Sequence, residues 1–262
     1  MQQQRYTTQL QAGLGMISET LALLRLWEPG MLPAHLSDRA IEEGLFSRAT
    51  ARRARNIVIE MFAPRFLGDG GEVASRLKVL LDHRISQDVL AQLFFLQTAR
   101  AQRIFKDFVI KCYWPKYSTG ALSLGKEEAE KFILRALDNG HMEKRWSDST
   151  RDIMAARLMG CCHDFGLLAS NRGQNRPIQR FAIRAEVALY LAHDLHCAGI
   201  SDMGLIQHED WRLFGMEGRD VIRLLKNLGH DGHLFIQSSA DLVQISWKYR
   251  SMGECLDAIT QR

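Results

Sequence analysis

Apolar residues recur every three or four positions along most of this chain, and that period constrains its fold more than any other feature. Between Gly13 and Trp27 they fall at Leu14, Ile17, Leu21, Leu24 and Trp27, after which Glu28-Pro29-Gly30 should stop a helix. Ala54, Ile57, Val58, Met61 and Phe62 follow the i, i+3, i+4, i+7, i+8 pattern of a single buried stripe. Further helical stretches lie between the Gly68-Asp69-Gly70-Gly71 loop and Cys112, with a break expected from Trp114-Pro115 to Gly120. Helices are then predicted at Lys126 to Leu137, Ser147 to Phe165 and Phe181 to Ala198, the last two separated by a loop over Ser170 to Pro177. The period changes only near the end. Two short helices, Met203 to Phe214 and Glu217 to Leu228, precede two strands, Leu234 to Ile236 and Leu242 to Trp247, joined by a turn near Ser238 to Asp241. Helix, helix, hairpin is the order of a small winged helix.

The expectation is a mainly α, globular helical bundle with two helix-turn-helix units and a small C-terminal β-hairpin of winged-helix order. Three regions are drawn from the sequence. Residues 1–120 hold a first helix-turn-helix at about 37–62, residues 121–198 a second at about 126–165, and residues 199–262 the helices and hairpin. With 46% hydrophobic and 24% charged residues the chain is not largely disordered. The most apolar run, Val89 to Leu96, is eight residues, far short of the roughly twenty a membrane helix needs. Gln9, Gln11, Ser18 and Glu19 interrupt any signal-peptide core. Cys112, Cys161, Cys162, Cys197 and Cys255 make no CxxC pair and read as reduced thiols, pointing to a cytoplasmic protein.

A formal charge of +4 permits a nucleic-acid partner without requiring one, so the placement of the charge decides. Its sharpest concentration is Ser47-Arg48-Ala49-Thr50-Ala51-Arg52-Arg53-Ala54-Arg55, directly after a short helix capped by Ser37 and Asp38 and ended at Gly44. In a helix-turn-helix the second helix enters the major groove with its N-terminal turns leading. Arg48, Arg52 and Arg55 share one face by their i, i+4, i+7 spacing. A guanidinium can hold phosphate oxygens or a guanine edge in two parallel hydrogen bonds. Ser47 and Thr50 suit either a helix cap or a phosphate contact.

A looser copy follows one hundred residues on. There Lys144, Arg145, Ser149, Thr150 and Arg151 lead into a helix, and the match of Ser147-x-x-Thr150 to Ser47-x-x-Thr50 suggests an internal duplication. Asp148 and Asp152 dilute its charge and Arg151 leans towards the apolar side, so a structural role is the stronger reading there. Arg172, Arg176, Arg180 and Arg184 form a run without acids, with Arg172 and Arg176 placed to grip a phosphate backbone. Arg100, Arg103, Lys106, Lys111 and Lys116 form another positive stretch. Against all of these stands the commoner alternative that a basic helix is simply a solvated face.

Catalytic and metal signals are weak. Cys161-Cys162-His163-Asp164 and His193-Asp194-Leu195-His196-Cys197 lack the paired spacing of a zinc site. No phosphate-binding Gly loop or nucleophile elbow occurs. The chain is expected to be non-enzymatic, with no cofactor and no metal.

Several segments nevertheless resemble one family. Tyr6-Thr7-Thr8-Gln9-Leu10-Gln11-Ala12-Gly13, with Glu19-Thr20 and Leu24 following, is similar to the start of the BrxA proteins of type 1 BREX phage-defence systems. So are Glu43-Gly44-Leu45-Phe46-Ser47-x-x-Thr50-x-Arg52-Arg53 and the Val89 to Phe95 block ahead of Phe105-x-x-Phe108-Val109. Ser149-Thr150 and the run to Phe165-Gly166-Leu167-Leu168 extend the likeness, which spans roughly residues 5 to 195. The resemblance implies a helical protein with two helix-turn-helix motifs near positive surface, binding double-stranded DNA beside other BREX proteins. Its rivals are an RNA-binding, antitermination-like module and a protein–protein scaffold of the defence complex.

Overall fold

The computed structural model describes residues 5–11, 13–46, 49–142, 145–171, 173, 175–238 and 243–261. The fold is mainly helical with two small antiparallel strand pairs, the second of them the C-terminal hairpin expected from the sequence. Contacts group the chain into two compact units, Met1–Lys78 with Phe94–Phe181 and Val79–Leu93 with Ala182–Arg262. Both are discontinuous in sequence.

The first unit begins with α1 (Ile17–Leu26) and α2 (Pro33–Glu42). The sequence placed the start of the second helix at Ser37 and Asp38, but Ser37 is buried inside it. Pro33 occupies the first turn, where its missing N–H costs nothing and its fixed φ already suits a helix. The expected stop at Gly44 is confirmed. Gly44 adopts a left-handed φ of 64°, Leu45 N–H donates to Ala40 O and Gly44 N–H to Ile41 O, which satisfies two carbonyls at the helix end. Next, α3 (Ala51–Asn56) runs without interruption through a π-helical stretch, Ile57–Phe62, into α4 (Ala63–Phe66). The stripe Ala54, Ile57, Val58, Met61 and Phe62 is buried as its spacing requires.

Downstream come α5 (Glu72–Asp82), α6 (Gln87–Ala101) and α7 (Arg103–Phe108). A second π-helical stretch, Val109–Tyr113, leads directly into α8 (Trp114–Ser118). Trp114-Pro115 therefore does not break the helix, contrary to the sequence reading. In both places a wide turn stands just before a proline, Pro64 or Pro115. A proline ring inside a helix lacks the N–H and clashes with the carbonyl four residues back; a π turn moves that carbonyl aside and lets the helix continue.

Strand β1 (Ser123–Gly125) leads into α9 (Lys126–Asp138) and α10 (Asp148–Asp164), and β2 (Asn175–Pro177) returns to pair with β1. Strand β2 lies within the loop expected over Ser170 to Pro177, because a three-residue strand carries too little alternation to register in the sequence. A chain of rings fills this unit, running Phe62–Phe66–Phe94 and Phe95–Phe105–Phe165 with centroids 5.1 to 6.0 Å apart.

In the second unit α11 (Ala185–Cys197) is followed by α12 (Asp202–Ile206) and a 3-10 turn, Glu209–Phe214. Then come α13 (Arg219–His230), β3 (Leu234–Ser238), β4 (Val243–Trp247) and α14 (Met252–Thr260). The strands pair antiparallel with Leu234 opposite Trp247 and Ile236 opposite Ile245. The expected turn at Ser238 to Asp241 lies almost wholly outside the described residues.

His193 of α11 is fully buried against this hairpin, its ring 4.7 Å from Trp247 and its Nε2 3.3 Å from Tyr249 O. Burial lowers its pKa to about 4, and His196 and His233 add to the effect. In the unfolded chain the ring takes up a proton below about pH 6.5. Between those values the unfolded state binds more protons, so stability falls as pH drops from about 6.5 towards 4. We expect a loss of about 2 kcal/mol at pH 5 relative to pH 7 from this residue. Urea titrations of wild type and His193→Gln at both pH values check it; an equal loss in the variant would clear His193 of the effect.

Candidate nucleic-acid interface

The region where the sequence predicts the first helix-turn-helix holds α2 and the helix that begins at Ala51. Helix α2 packs against α3 and the following π stretch, and α1 packs against α2. Thr50 is the N-cap, with extended φ/ψ and a side-chain oxygen that accepts the Arg53 N–H at 3.2 Å. Capping by Thr50 was one of the two roles its sequence position allowed, and the helix starts at Ala51 rather than Ser47. Arg52 and Arg53 therefore stand in the first turn and Arg55 in the second, all exposed. Arg48 lies outside the described residues.

No acidic residue occurs between Gly44 and Ile59. Arg55 lies 3.6 Å from Asp38 of α2, and both side chains are more than half exposed. Solvent and salt screen such a pair, so a phosphate can compete for the guanidinium. Arg53 also edges a depression of about 440 Å³ lined by Met16, Glu19, Phe46 and Ile57. The unpaired N–H groups of a helix start add to the attraction for an anion.

The second set is arranged differently. Ser147 caps α10 by accepting the Thr150 N–H at 3.2 Å, and its hydroxyl lies 2.9 Å from that of Thr150. The cap is thus Thr50 in one helix and Ser147 in the other, so the matched Ser-x-x-Thr quartets sit three residues out of register. This removes the structural support for the duplication. Arg151 is held by its own turn, bonding Asp148 Oδ1 at 2.5 Å and Trp146 O at 3.4 Å. Lys126 pairs with Asp152. Arg145 and Ser149 are exposed, Thr150 is half-buried, and Lys144 lies outside the described residues. The structural role anticipated for this unit fits Arg151 well.

Arg176 sits in β2 opposite Leu124, half-buried, while Arg172 lies outside the described residues. The remaining positive stretches are largely engaged within the protein. Asp107 takes Arg103 at 3.1 Å and Lys111 at 3.0 Å, Lys116 pairs with Glu128 at 3.2 Å, and Lys106 is buried. Arg184 pairs with Asp88. Of the residues singled out in the sequence, the structure brings Thr50, Arg52, Arg53 and Arg55 together on one exposed helix start, and Arg145, Ser149, Thr150 and Arg151 around another.

One basic face escaped the sequence reading. Helix α13 exposes Arg219, Arg223 and Lys226. Their i, i+4, i+7 spacing is the one noted for Arg48, Arg52 and Arg55, and it was visible in the sequence.

Among the described residues no three His, Cys, Asp or Glu side chains are grouped to hold a metal ion. Burial pushes the Cys161 thiol up to about 12 and raises Cys162 as well, so neither offers a thiolate near neutrality. No helix among the described residues is long and apolar enough to cross a membrane.

The profile of the BrxA family matches residues 4–194. The chain belongs to the BrxA family. BrxA is a component of BREX phage defence, and membership suggests other BREX proteins as partners. The fold is also that of a crystal structure of an uncharacterized protein from Magnetospirillum magneticum. That structure is 15% identical with a TM-score of 0.62, and the match covers 80% of this chain and 98% of the other. No curated protein matches the chain. Residues beyond 194, from the end of α11 onward, lie outside the BrxA match.

Proposed function

We propose that this BrxA-family protein is a non-enzymatic component of BREX defence that binds double-stranded DNA through the helix beginning at Ala51. One observation carries the reading. Arg52, Arg53 and Arg55 stand exposed on the first two turns of a capped helix, braced from behind by α2, with no acid in those turns. A duplex presents one negative charge per roughly 1.7 Å of axis, and a rigid helix start with three cations can neutralise several while excluding little water. Arg145 and Ser149 supply a second, weaker contact on the same compact unit. Arg151 contributes little, because its guanidinium already bonds Asp148 and Trp146.

Binding of this type weakens linearly in log–log coordinates as salt rises, with each phosphate contact contributing about 0.9 to the slope. The test compares wild type with Arg52→Ala/Arg53→Ala/Arg55→Ala on duplex DNA from low to moderate salt, with structured RNA as competitor. We expect the variant to keep its thermal midpoint, to lose about tenfold or more in affinity, and to lose about 2 to 3 from the slope. A folded variant with wild-type affinity and slope would remove this helix as the contact. Preferential displacement by RNA would replace the duplex reading with an RNA-binding one.

A further inference from the structure

We propose that the second compact unit carries a separate duplex-DNA contact of winged-helix form, with α13 as the helix presented to the major groove. It extends the DNA-binding reading to residues that the BrxA match does not reach. It is carried by its own side chains.

The architecture comes first. Helices α11, α12 and α13 are followed by an antiparallel hairpin, β3 lies against α13, and β4 lies against α12. The packing is secured by polar contacts as well as by burial. Ile245 N–H donates to Asp202 Oδ2 at 2.9 Å, tying β4 to the start of α12. Trp211 Nε1 donates to Leu205 O at 2.8 Å, holding the 3-10 turn on α12. Gly215, at a φ of 70°, and Gly218 turn the chain from that segment into α13. A helix pair joined by a tight Gly turn and backed by a hairpin is the scaffold that winged helices use to offer one helix face to DNA.

The division of α13 into two faces comes next. Val221, Leu225 and Leu228 are buried at i, i+4, i+7. On the opposite side Arg219, Arg223, Lys226, Asn227 and His230 are exposed. Arg219 and Lys226 make no ion pair among the described residues, and Arg223 meets only Asp220, at 3.8 Å with both side chains largely in solvent. Twelve helical residues span about 18 Å, the reach of a recognition helix across a groove. Arginine and asparagine on one stripe are also the side chains that can bond guanine and adenine edges bidentately.

The whole C-terminal segment is not basic, so the distribution of its acids matters. Asp202 is bonded to Ile245 N–H, Asp210 is buried, Glu217 pairs with Arg212 at 2.9 Å, and Glu254 accepts the Arg250 N–H. Asp220 and Asp231 flank the α13 stripe in the sequence, one near each end, and Glu209 and Asp257 are the other exposed acids among the described residues of the segment. The outward strand positions of the hairpin are Phe235, Gln237, Gln244 and Ser246, followed by exposed Lys248 and Arg250. That face is uncharged or positive at every described strand position. The complementary partner is a regular polyanion.

The test uses the full chain. Arg219→Ala/Arg223→Ala/Lys226→Ala is compared with wild type and with Arg52→Ala/Arg53→Ala/Arg55→Ala for duplex affinity and salt slope. We expect the α13 variant to retain its thermal midpoint, to lose about tenfold in affinity and about 2 from the slope, and to add to the loss caused by the α3 variant. Arg223→Glu, which removes one cation and adds one repulsion, should lower affinity as well and stands in if the triple variant does not fold. Wild-type affinity and slope in the folded α13 variants would overturn this proposal, whatever the α3 variant does. Loss in the α13 variant with none in the α3 variant would uphold it and overturn the α3 reading. Absence of duplex binding by wild type would overturn both, and retained capture of an acidic protein by this face would identify that partner instead.

Discussion

Asp107→Ala should lower the stability of this protein by about 3 kcal/mol, read as a shift of the urea midpoint at pH 7. The carboxylate is almost fully buried, yet it receives three donors. Tyr6 Oη donates at 2.6 Å, Lys111 Nζ at 3.0 Å, and Arg103 Nε at 3.1 Å. Burial works against its ionisation, but the hydroxyl and the two cations outweigh that and hold the carboxyl below its usual range. Its contribution is therefore present above about pH 4 and is lost as pH falls through the lowered value. The two cations are partly exposed and can turn to water when the carboxylate goes. The Tyr6 hydroxyl is buried and cannot, so the larger share of the loss comes from an orphaned donor. Asp107→Asn keeps an acceptor for Tyr6 and should lose about half as much. Tyr6→Phe should cost about 1 to 2 kcal/mol, and the cycle of Tyr6→Phe with Asp107→Ala should show coupling of about 1 kcal/mol or more. Additive losses would mean that the 2.6 Å contact contributes nothing of its own.

Arg65→Ala should cost about 4 kcal/mol, the largest effect of any single exposed-type side chain in the first unit. Arg65 lies at the far end of the helix that starts with Arg52 and Arg53, and it is 4% exposed. Its guanidinium donates to Gly13 O and Leu14 O, both at 2.9 Å, and burial lowers its pKa to about 10. No carboxylate among the described residues pairs with it, and Nε has no partner. A cation in this position is costly, but deleting it strands two carbonyls and opens a cavity of arginine size. Arg65→Met separates these terms because it fills the space without donating. We expect it to lose about 2 kcal/mol; a gain in stability would show that the desolvation of the charge outweighs its two hydrogen bonds. The same bonds clamp the segment ahead of α1 onto the end of the Arg52 helix. On the DNA-binding reading proposed above, Arg65→Ala should therefore also weaken duplex binding without touching the proposed contact residues, whereas Arg65→Lys, which keeps the charge and a donor, should restore part of both losses.

These two residues show where reading the sequence stops. Local physics was legible in it. The stripe from Ala54 to Phe62, the Gly44 stop, the capping role open to Thr50 and the hairpin after Leu234 all depend on neighbours within about five residues, and periodicity and cap chemistry register such neighbours. Family membership was legible for the same reason, through short segments of fixed order. The helix that runs through Pro64 and Pro115 was not, because a wide turn is a compromise with surrounding packing that a proline on its own argues against.

Which cations face outward was settled by the tertiary structure alone. Arg52, Arg55, Arg65, Arg103 and Arg151 are indistinguishable as letters. Arg65 finds its partners 51 and 52 residues away, Arg103 shares Asp107 with a tyrosine 101 residues before that aspartate, and Arg151 is folded back on its own cap. By itself, the sequence determined a mainly helical BrxA-family chain with concentrated positive charge. Long-range burial decided which of those charges hold the fold together and which remain exposed to solvent, because the energy of a charge depends on what surrounds it in space and only weakly on what precedes it in the chain.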